Sequence, residues 1–249
     1  MPAYMAERTL KETIDHLPRA VIDDIILVDD ASTDGTAELA KSLGLQVVVH
    51  QENKGYGANQ KTCYDVALQQ GADVVVMLHP DFQYDPKMVP DMIAPIMADQ
   101  ADFTFGSRFK GGWRQPLKGK MPLYRWLGNR FTTFIENLLI GTDFTEMHSG
   151  YRAYSRRVLE AVPYRDLSDD FVFDSQMLIL AAFSRQFRIQ EVAIPTRYED
   201  DSSSVNLPGA FKYIAETLWF LVKAFFRQRR IRKQIAARMS AESYPASSS

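Results

Sequence analysis

The chain has 249 residues, 46% of them hydrophobic and 12% aromatic, which is enough to bury the core of one α/β domain with appendages. Its 29 basic and 31 acidic residues nearly cancel, so nothing in the overall charge points to nucleic acid. A single cysteine, Cys63, rules out an internal disulfide and fits a reducing compartment, with packing as its expected role. No signal-peptide pattern is read. The most apolar long stretch, Tyr213 to Phe226, is interrupted by Glu216 and Lys223 and falls short of the roughly 20 apolar residues that span a bilayer.

In chain order, Lys11 to Leu17 reads as part of a helix ending before Pro18, and Ile25 to Val28 as a buried strand. Acids, small hydroxyl residues and Gly35 stop that strand and cap a helix over about Thr36 to Ser42. Gln46 to His50 is the next strand, and it ends in Asn53-Lys54-Gly55-Tyr56-Gly57-Ala58-Asn59. The two glycines there permit close approach of backbone to a ligand before a helix to about Gln70. The unbroken apolar run through Val74-Val75-Val76 predicts a strand buried on both faces. A helix kinked or broken by Pro90 and Pro95 follows near Lys87 to Asp99, then a short strand at Phe103 to Phe105. This alternation predicts a mostly parallel sheet covered by helices on both faces.

Leu123 to Leu139 has Arg125, Asn129, Thr132 and Glu136 at helical spacing, leaving Leu127, Phe131, Phe134 and Leu138 on another face. Asp143 to Tyr154 reads as loop and strand, Phe171 to Phe183 as a helix, Ile189 to Pro195 as a strand and Thr196 to Leu207 as a polar loop. The last helix starts near Pro208. Residues 240–249 are expected to be disordered.

Polar chemistry appears where the Val74–Val76 strand ends, the usual place for ligands in open α/β sheets. His79, Asp81 and Gln83 put an imidazole, a carboxylate and an amide at alternating positions, a plausible divalent-metal and diphosphate site. The alternative is a polar turn closed by Pro86.

Pro2-Ala3-Tyr4, the run from Val28 to Thr36, the run from Asn53 to Asn59, His79-Pro80-Asp81 and Gly106-Ser107-Arg108-Phe109 together resemble family 2 inverting glycosyltransferases of GT-A fold, in order and in spacing. Ser149-Gly150-Tyr151-Arg152-Ala153-Tyr154 and Phe171-Val172-Phe173 are similar to the dolichyl-phosphate mannose synthase branch. The resemblance covers roughly residues 1–205, a GT-A domain, followed by a helix over 206–239 and a tail over 240–249. It implies a nucleotide-sugar donor of the GDP-mannose or UDP-glucose type, a polyprenyl phosphate acceptor and a divalent cation, Mn²⁺ or Mg²⁺. It also implies an enzyme in the cytoplasm, peripheral on the inner face of the membrane.

By the resemblance Asp30 bonds the base, Pro2, Tyr4, Glu7, Lys54 and Gly55 lie along the nucleotide, and Asp81 is the essential metal ligand with Gln83 assisting. The sequence departs from the family where the first acid of the DXD motif is His79, which suits Mn²⁺ better than Mg²⁺. Arg108 and Arg152 are candidate catalytic cations, and Arg125, Asn129, Arg197 and Ser203 candidate acceptor contacts, because guanidinium forks match phosphate oxygens. A phosphate acceptor needs no general base, whereas a sugar hydroxyl does; Asp169 or Asp170 would serve in a hydroxyl-acceptor enzyme, or cap a helix. Gln176 stands where the branch often has glutamate. A donor-binding protein without turnover is the reading from a different class.

Two further expectations concern the ends of the chain. From Lys223 to Arg238 there are seven Lys or Arg and no acid. Phe211, Ile214, Leu218, Val222 and Phe225 form an apolar stripe beside a charged, mostly basic arc of Lys212, Glu216, Lys223, Arg227 and Arg230, as in a helix lying on an anionic membrane; the alternative is a helix packed on the protein's own core. Family members resemble one another in having a hydrophobic strand just before Pro-Ala-Tyr, so the first strand is expected to be missing. Met1 should then stand at the mouth of the site, with an open slot beside Ile25–Val28.

Overall fold

The structure, a computed structural model, describes residues 1–195 and 207–242. The elements run β1 (Pro2–Ala3), α1 (Glu7–Asp15), β2 (Ile26–Asp29), α2 (Thr36–Ser42), β3 (Gln46–Val49), α3 (Tyr56–Gln69), β4 (Val74–Met77) and α4 (Val89–Met97). They continue with β5 (Phe103–Ser107), α5 (Gln115–Lys118), α6 (Leu123–Ile140), β6 (Arg152–Ser155), α7 (Arg156–Ala161), α8 (Phe173–Ser184), β7 (Ile189–Ala193) and α9 (Leu207–Glu242).

Strands β1, β2 and β3 form one parallel sheet, and a second follows the order β4, β6, β5, β7. In that second sheet β5 and β7 are parallel, while β6 runs antiparallel between β4 and β5. The predicted alternation is therefore present, with one reversed strand. Strand β4 is less enclosed than its Val-rich sequence predicts, because Val74 to Val76 are only half-buried. It is an edge of its sheet, and among the described residues no ladder joins it to β1.

The expected missing neighbour of β2 is corrected by the structure. Pro2 pairs with Val28 and Ala3 with Asp29, so β2 has a parallel strand on each side. Met1 is buried in the core instead of standing at the site's mouth, its amino group 2.7 Å from the Ile26 carbonyl and near the buried Cys63 thiol.

Helix α8 explains how the core is centred. Nearly every residue from Phe173 to Ser184 is buried, as expected for a helix apolar all round and covered on each side. Phe103, Phe105, Tyr64 and Tyr154 belong to the same core cluster, and α9 packs along α8. Among the described residues of α9, Thr217, Leu221, Ala224 and Ile235 are buried. Leu218 and Phe225 also pack on the core, which corrects the expected free stripe; the outward apolar residues are Phe211, Trp219, Val222 and Phe226. Helix α9 also runs through Glu242, three residues into the segment expected to be disordered. Residues 243–249 lie outside the described residues.

Helix α6 separates its faces as the spacing predicts, but in the reverse sense to an ordinary surface helix. Thr132, Thr133 and Glu136 are buried, while Phe131, Phe134 and Leu138 are 59, 66 and 71% exposed. The buried polar groups have a local reason. Thr132 and Thr133 bond within the helix, and Glu136 lies 3.2 Å from His148 Nε2 in ion-pair reach outside hydrogen-bond geometry. His148 Nδ1 in turn meets the Tyr213 hydroxyl of α9 at 2.9 Å, so a polar chain fixes α6 against α9.

Candidate active site

The carboxyl ends of β1, β2, β4 and β5 open into a cavity of about 1360 Å³. Of the residues singled out in the sequence, Pro2, Tyr4, Glu7, Asp30, Gly55, His79, Asp81, Gln83, Arg108, Arg125 and Asn129 line it. Lys54 and Arg152 do not. Arg197 and Ser203 lie outside the described residues.

At the β1/β2 end the acid-rich loop is held by its own side chains. Asp30 accepts from the Lys54 and Gly55 amides at 2.9 Å each and contacts His50 Nδ1 at 2.7 Å, which ties the end of β2 to the start of α3. Gly55 has φ of +98°, and a Cβ there would stand 2.7 Å from the Asp169 carbonyl, so only glycine fits. Glu7 accepts from the Gly35 amide at 3.1 Å and Asp34 from Thr36 at 3.1 Å, joining the starts of α1 and α2. Three non-glycine residues take left-handed φ directly after cavity residues: Met5 after Tyr4, Ala31 after Asp30 and Phe82 after Asp81. Strained backbone of this kind persists where surrounding structure fixes a site.

At the end of β4 the His79 ring stacks on Tyr56, with centroids 5.2 Å apart and planes 11° from parallel. Both of its nitrogens are buried without a hydrogen-bond partner. Burial holds the imidazole below its ordinary pKa against the opposing pull of Asp81 and Asp174, so it is neutral with a lone pair to give. Asp81 accepts from the Gln83 amide at 3.1 Å. A carboxylate, a neutral imidazole and an amide oxygen could hold a divalent cation, but among the described residues no group of three or more His, Cys, Asp or Glu is assembled for one. Such a partial set suits a cation whose remaining ligands come with a diphosphate.

Arg108 is bound by the fully buried Glu146, which accepts from its guanidinium and, at 2.7 Å, from its backbone amide. Asn129 Nδ2 also donates to Glu146, at 2.8 Å. Asn129 and Arg108 are thus held by one carboxylate, Glu146, which the sequence reading did not single out. Arg152 is corrected from a cavity cation to a core residue. It is fully buried and donates to the carbonyls of Ser149, Met147 and Asp174.

The sequence reading also missed Asp174, which lines the cavity from the first turn of α8. Its Oδ2 accepts from Tyr56 at 2.6 Å, while Oδ1 is buried, 3.9 Å from Arg152 Nε, with no hydrogen-bond partner. Its signal was available: an acid in an otherwise apolar helical run. Asp169 and Asp170 are less suited to proton abstraction. Asp169 pairs with Lys61 at 2.7 Å and is not in the cavity wall; Asp170 pairs with Lys212 at 2.6 Å, and that bond holds it below the usual carboxylate range. Gln176 accepts from the Ser168 amide at 2.8 Å and fixes the turn before α8.

This fold and site agree with what the chain is similar to. The family description Glycosyl transferase family 2 matches residues 1–162, and the chain belongs to that family. The UDP-N-acetylglucosamine–dolichyl-phosphate N-acetylglucosaminyltransferase of Methanococcus voltae is 31% identical over 232 residues, covering 85% of this chain and 90% of that protein. The polyprenol monophosphomannose synthase of Mycolicibacterium smegmatis is 30% identical over 184 residues, 68% of this chain and 65% of its own. Among solved structures, glucosyl-3-phosphoglycerate synthase of Mycobacterium tuberculosis in complex with Mn²⁺, UDP-glucose and phosphoglyceric acid superposes with a TM-score of 0.69 at 21% identity, over 90% of this chain and 77% of that one. The fold is thus GT-A, and the protein is a hexosyltransferase that uses a nucleotide-sugar donor.

Proposed function

We propose that this enzyme transfers a sugar from a nucleotide diphosphate donor to a polyprenyl phosphate with inversion, assisted by a divalent cation. The observation that carries the reading is that Arg108 and Asn129, both held by Glu146, line the same cavity as Asp81, so a phosphate-matching cation shares the cavity with the candidate metal ligand. The polyprenyl and dolichyl phosphate chemistry in the relatives' names supports it. So does the Mn²⁺ of the solved neighbour, for the cation alone.

In this reading Asp30, Tyr4 and Glu7 hold the nucleoside and Asp81, Gln83 and the neutral His79 would hold the cation. The cation, when bound, neutralises charge on the departing diphosphate. Arg108 and Arg125 orient the acceptor phosphate, whose oxygen forms a bond to the anomeric carbon as the carbon–oxygen bond to the diphosphate breaks on the opposite face. The acceptor arrives as an anion, so no side chain takes a proton. The site would face the cytoplasm from the inner surface of the membrane.

One observation favours a second reading. The unpartnered Oδ1 of Asp174 could accept the proton of a sugar hydroxyl. Donor screening by thermal shift with Mn²⁺, over GDP-mannose, UDP-glucose and UDP-N-acetylglucosamine, followed by transfer to polyprenyl phosphate or to free sugars, separates the two. Transfer to free sugars alone would replace the first reading by the second.

A further inference from the structure

Asp30 is buried yet forms part of the cavity wall, and most of its capacity to accept hydrogen bonds is spent inside the protein. A carboxylate accepts about four hydrogen bonds and donates none. Oδ1 is filled by the Lys54 amide at 2.9 Å and His50 Nδ1 at 2.7 Å, while Oδ2 accepts only from the Gly55 amide, at 2.9 Å. Because Asp30 only accepts, the proton of the imidazole contact lies on His50 Nδ1. The other end of that ring is held as well, where Nε2 meets Thr62 Oγ1 at 3.0 Å. Asn53, also in the cavity wall, shares the Gly55 amide with Asp30 Oδ2: its Oδ1 accepts from that amide at 3.1 Å, which leaves its Nδ2 to donate. This end of the cavity therefore offers a base one acceptor position, on Asp30 Oδ2, with an amide donor as its neighbour.

We propose that His50 decides which base the donor carries: by filling Asp30 Oδ1 it restricts the site to a base with a single ring N–H between two carbonyls, uracil or thymine, and excludes guanine. Guanine presents its ring N–H beside an exocyclic amino group and needs both carboxylate oxygens. With Oδ1 filled, that amino group would be buried without an acceptor, and stranding a buried polar group costs more than a typical hydrogen bond gains. Cytosine and adenine turn the lone pair of a ring nitrogen toward the carboxylate and are repelled. His50 does not line the cavity, so it is a positioning residue that acts through Asp30. The inference rests on the reading that the nucleoside lies at Asp30, and it deepens that reading by naming the base.

Titration calorimetry of the intact chain with UDP, dTDP, GDP, CDP and ADP, each with Mn²⁺, tests it. UDP or dTDP should bind at least about tenfold more tightly than the other three, and the tighter of the two names the base. GDP bound as tightly as either would overturn the inference. His50→Ala should narrow the ratio of the preferred nucleotide to GDP by about tenfold. His50→Asn, whose amide can still donate to Oδ1, should keep it. A variant that only loosened the fold would weaken both nucleotides together, so an unchanged ratio in His50→Ala refutes the role of His50. Thr62→Val has nearly the same shape, frees the other end of the ring and should move the ratio the same way by less, which decides the matter if His50→Ala does not fold. Asp30→Asn separates the two failures. Nucleotide binding that it leaves unchanged would place the nucleoside elsewhere and refute the underlying reading with the inference; binding that it weakens, with UDP and GDP equal in the intact chain, refutes the base assignment alone.

Discussion

The Tyr56 hydroxyl donates to Asp174 Oδ2 at 2.6 Å, and the ring that carries it stacks on His79. One tyrosine thereby sets the positions of an unpartnered carboxylate oxygen and two unpartnered ring nitrogens in the cavity wall. Burial, with Asp174 beside it, raises the Tyr56 pKa well above its ordinary value, so it remains a donor through the working range.

Asp174→Asn keeps the shape and removes the charge. If the free oxygen receives a hydroxyl of donor or acceptor, turnover should fall about 10- to 100-fold, the equivalent of a charged hydrogen bond of ~1.5–3 kcal/mol. Tyr56→Phe should cost less, because it loosens the carboxylate without removing it. Steady-state rates at saturating donor check both.

Glu146 should matter for stability and acceptor affinity together. Glu146→Ala leaves Arg108 without its buried partner, a change that costs ~3–5 kcal/mol in comparable buried pairs. Thermal unfolding should show a marked drop. Glu146→Gln should fold better and raise the KM for the acceptor with little effect on donor binding.

Asp102 predicts a pH dependence of stability. Burial alone would raise its pKa; the hydrogen bonds from Arg188, with the charges of Arg188 and Arg157, outweigh that and hold it below its ordinary value of 3.8. Its contribution is therefore full above the unfolded-state value and is lost as pH falls through the lower folded one. Denaturant unfolding of the intact protein and Asp102→Asn should differ near neutrality and converge in acid below pH 3.8. A constant difference across that window would remove Asp102 as the cause.

His79→Asp should shift the metal preference from Mn²⁺ toward Mg²⁺, since it replaces an imidazole by a hard oxygen ligand. Rates with each ion, in both proteins, give the comparison. An unchanged ratio would show that His79 makes no contact with the cation.

Much of the frame was legible in local pattern. Helix α2 occupies Thr36–Ser42 as its capping residues predict, and α3 begins where Gly55 ends the preceding loop. What the pattern could not give was which face of a helix meets water. Helices α6 and α9 both show separated faces, but the buried face of α6 is polar because Glu136 meets His148 across the chain, and the middle of α9 is buried because α8 lies there. Arg152 was misplaced for a similar reason. An arginine in a polar motif reads as a surface cation, and only its three carbonyl acceptors show that it is a core strut. Asp174 stood out only as an acid in an apolar helical run, with no partner at a fixed spacing to give it a role, and Glu146 was missed because it lies in a polar loop where nothing local marks one acid from another.

The most direct measurement of the central claim is the product formed from polyprenyl phosphate and the donor selected by thermal shift, with anomeric configuration assigned by NMR. A single sugar joined to the lipid phosphate, inverted relative to the donor, formed with a divalent cation and abolished by chelation or by Asp81→Ala in a folded protein, is the expected result. A product of retained configuration, or transfer that persists undiminished in chelator and in Asp81→Ala, would contradict it.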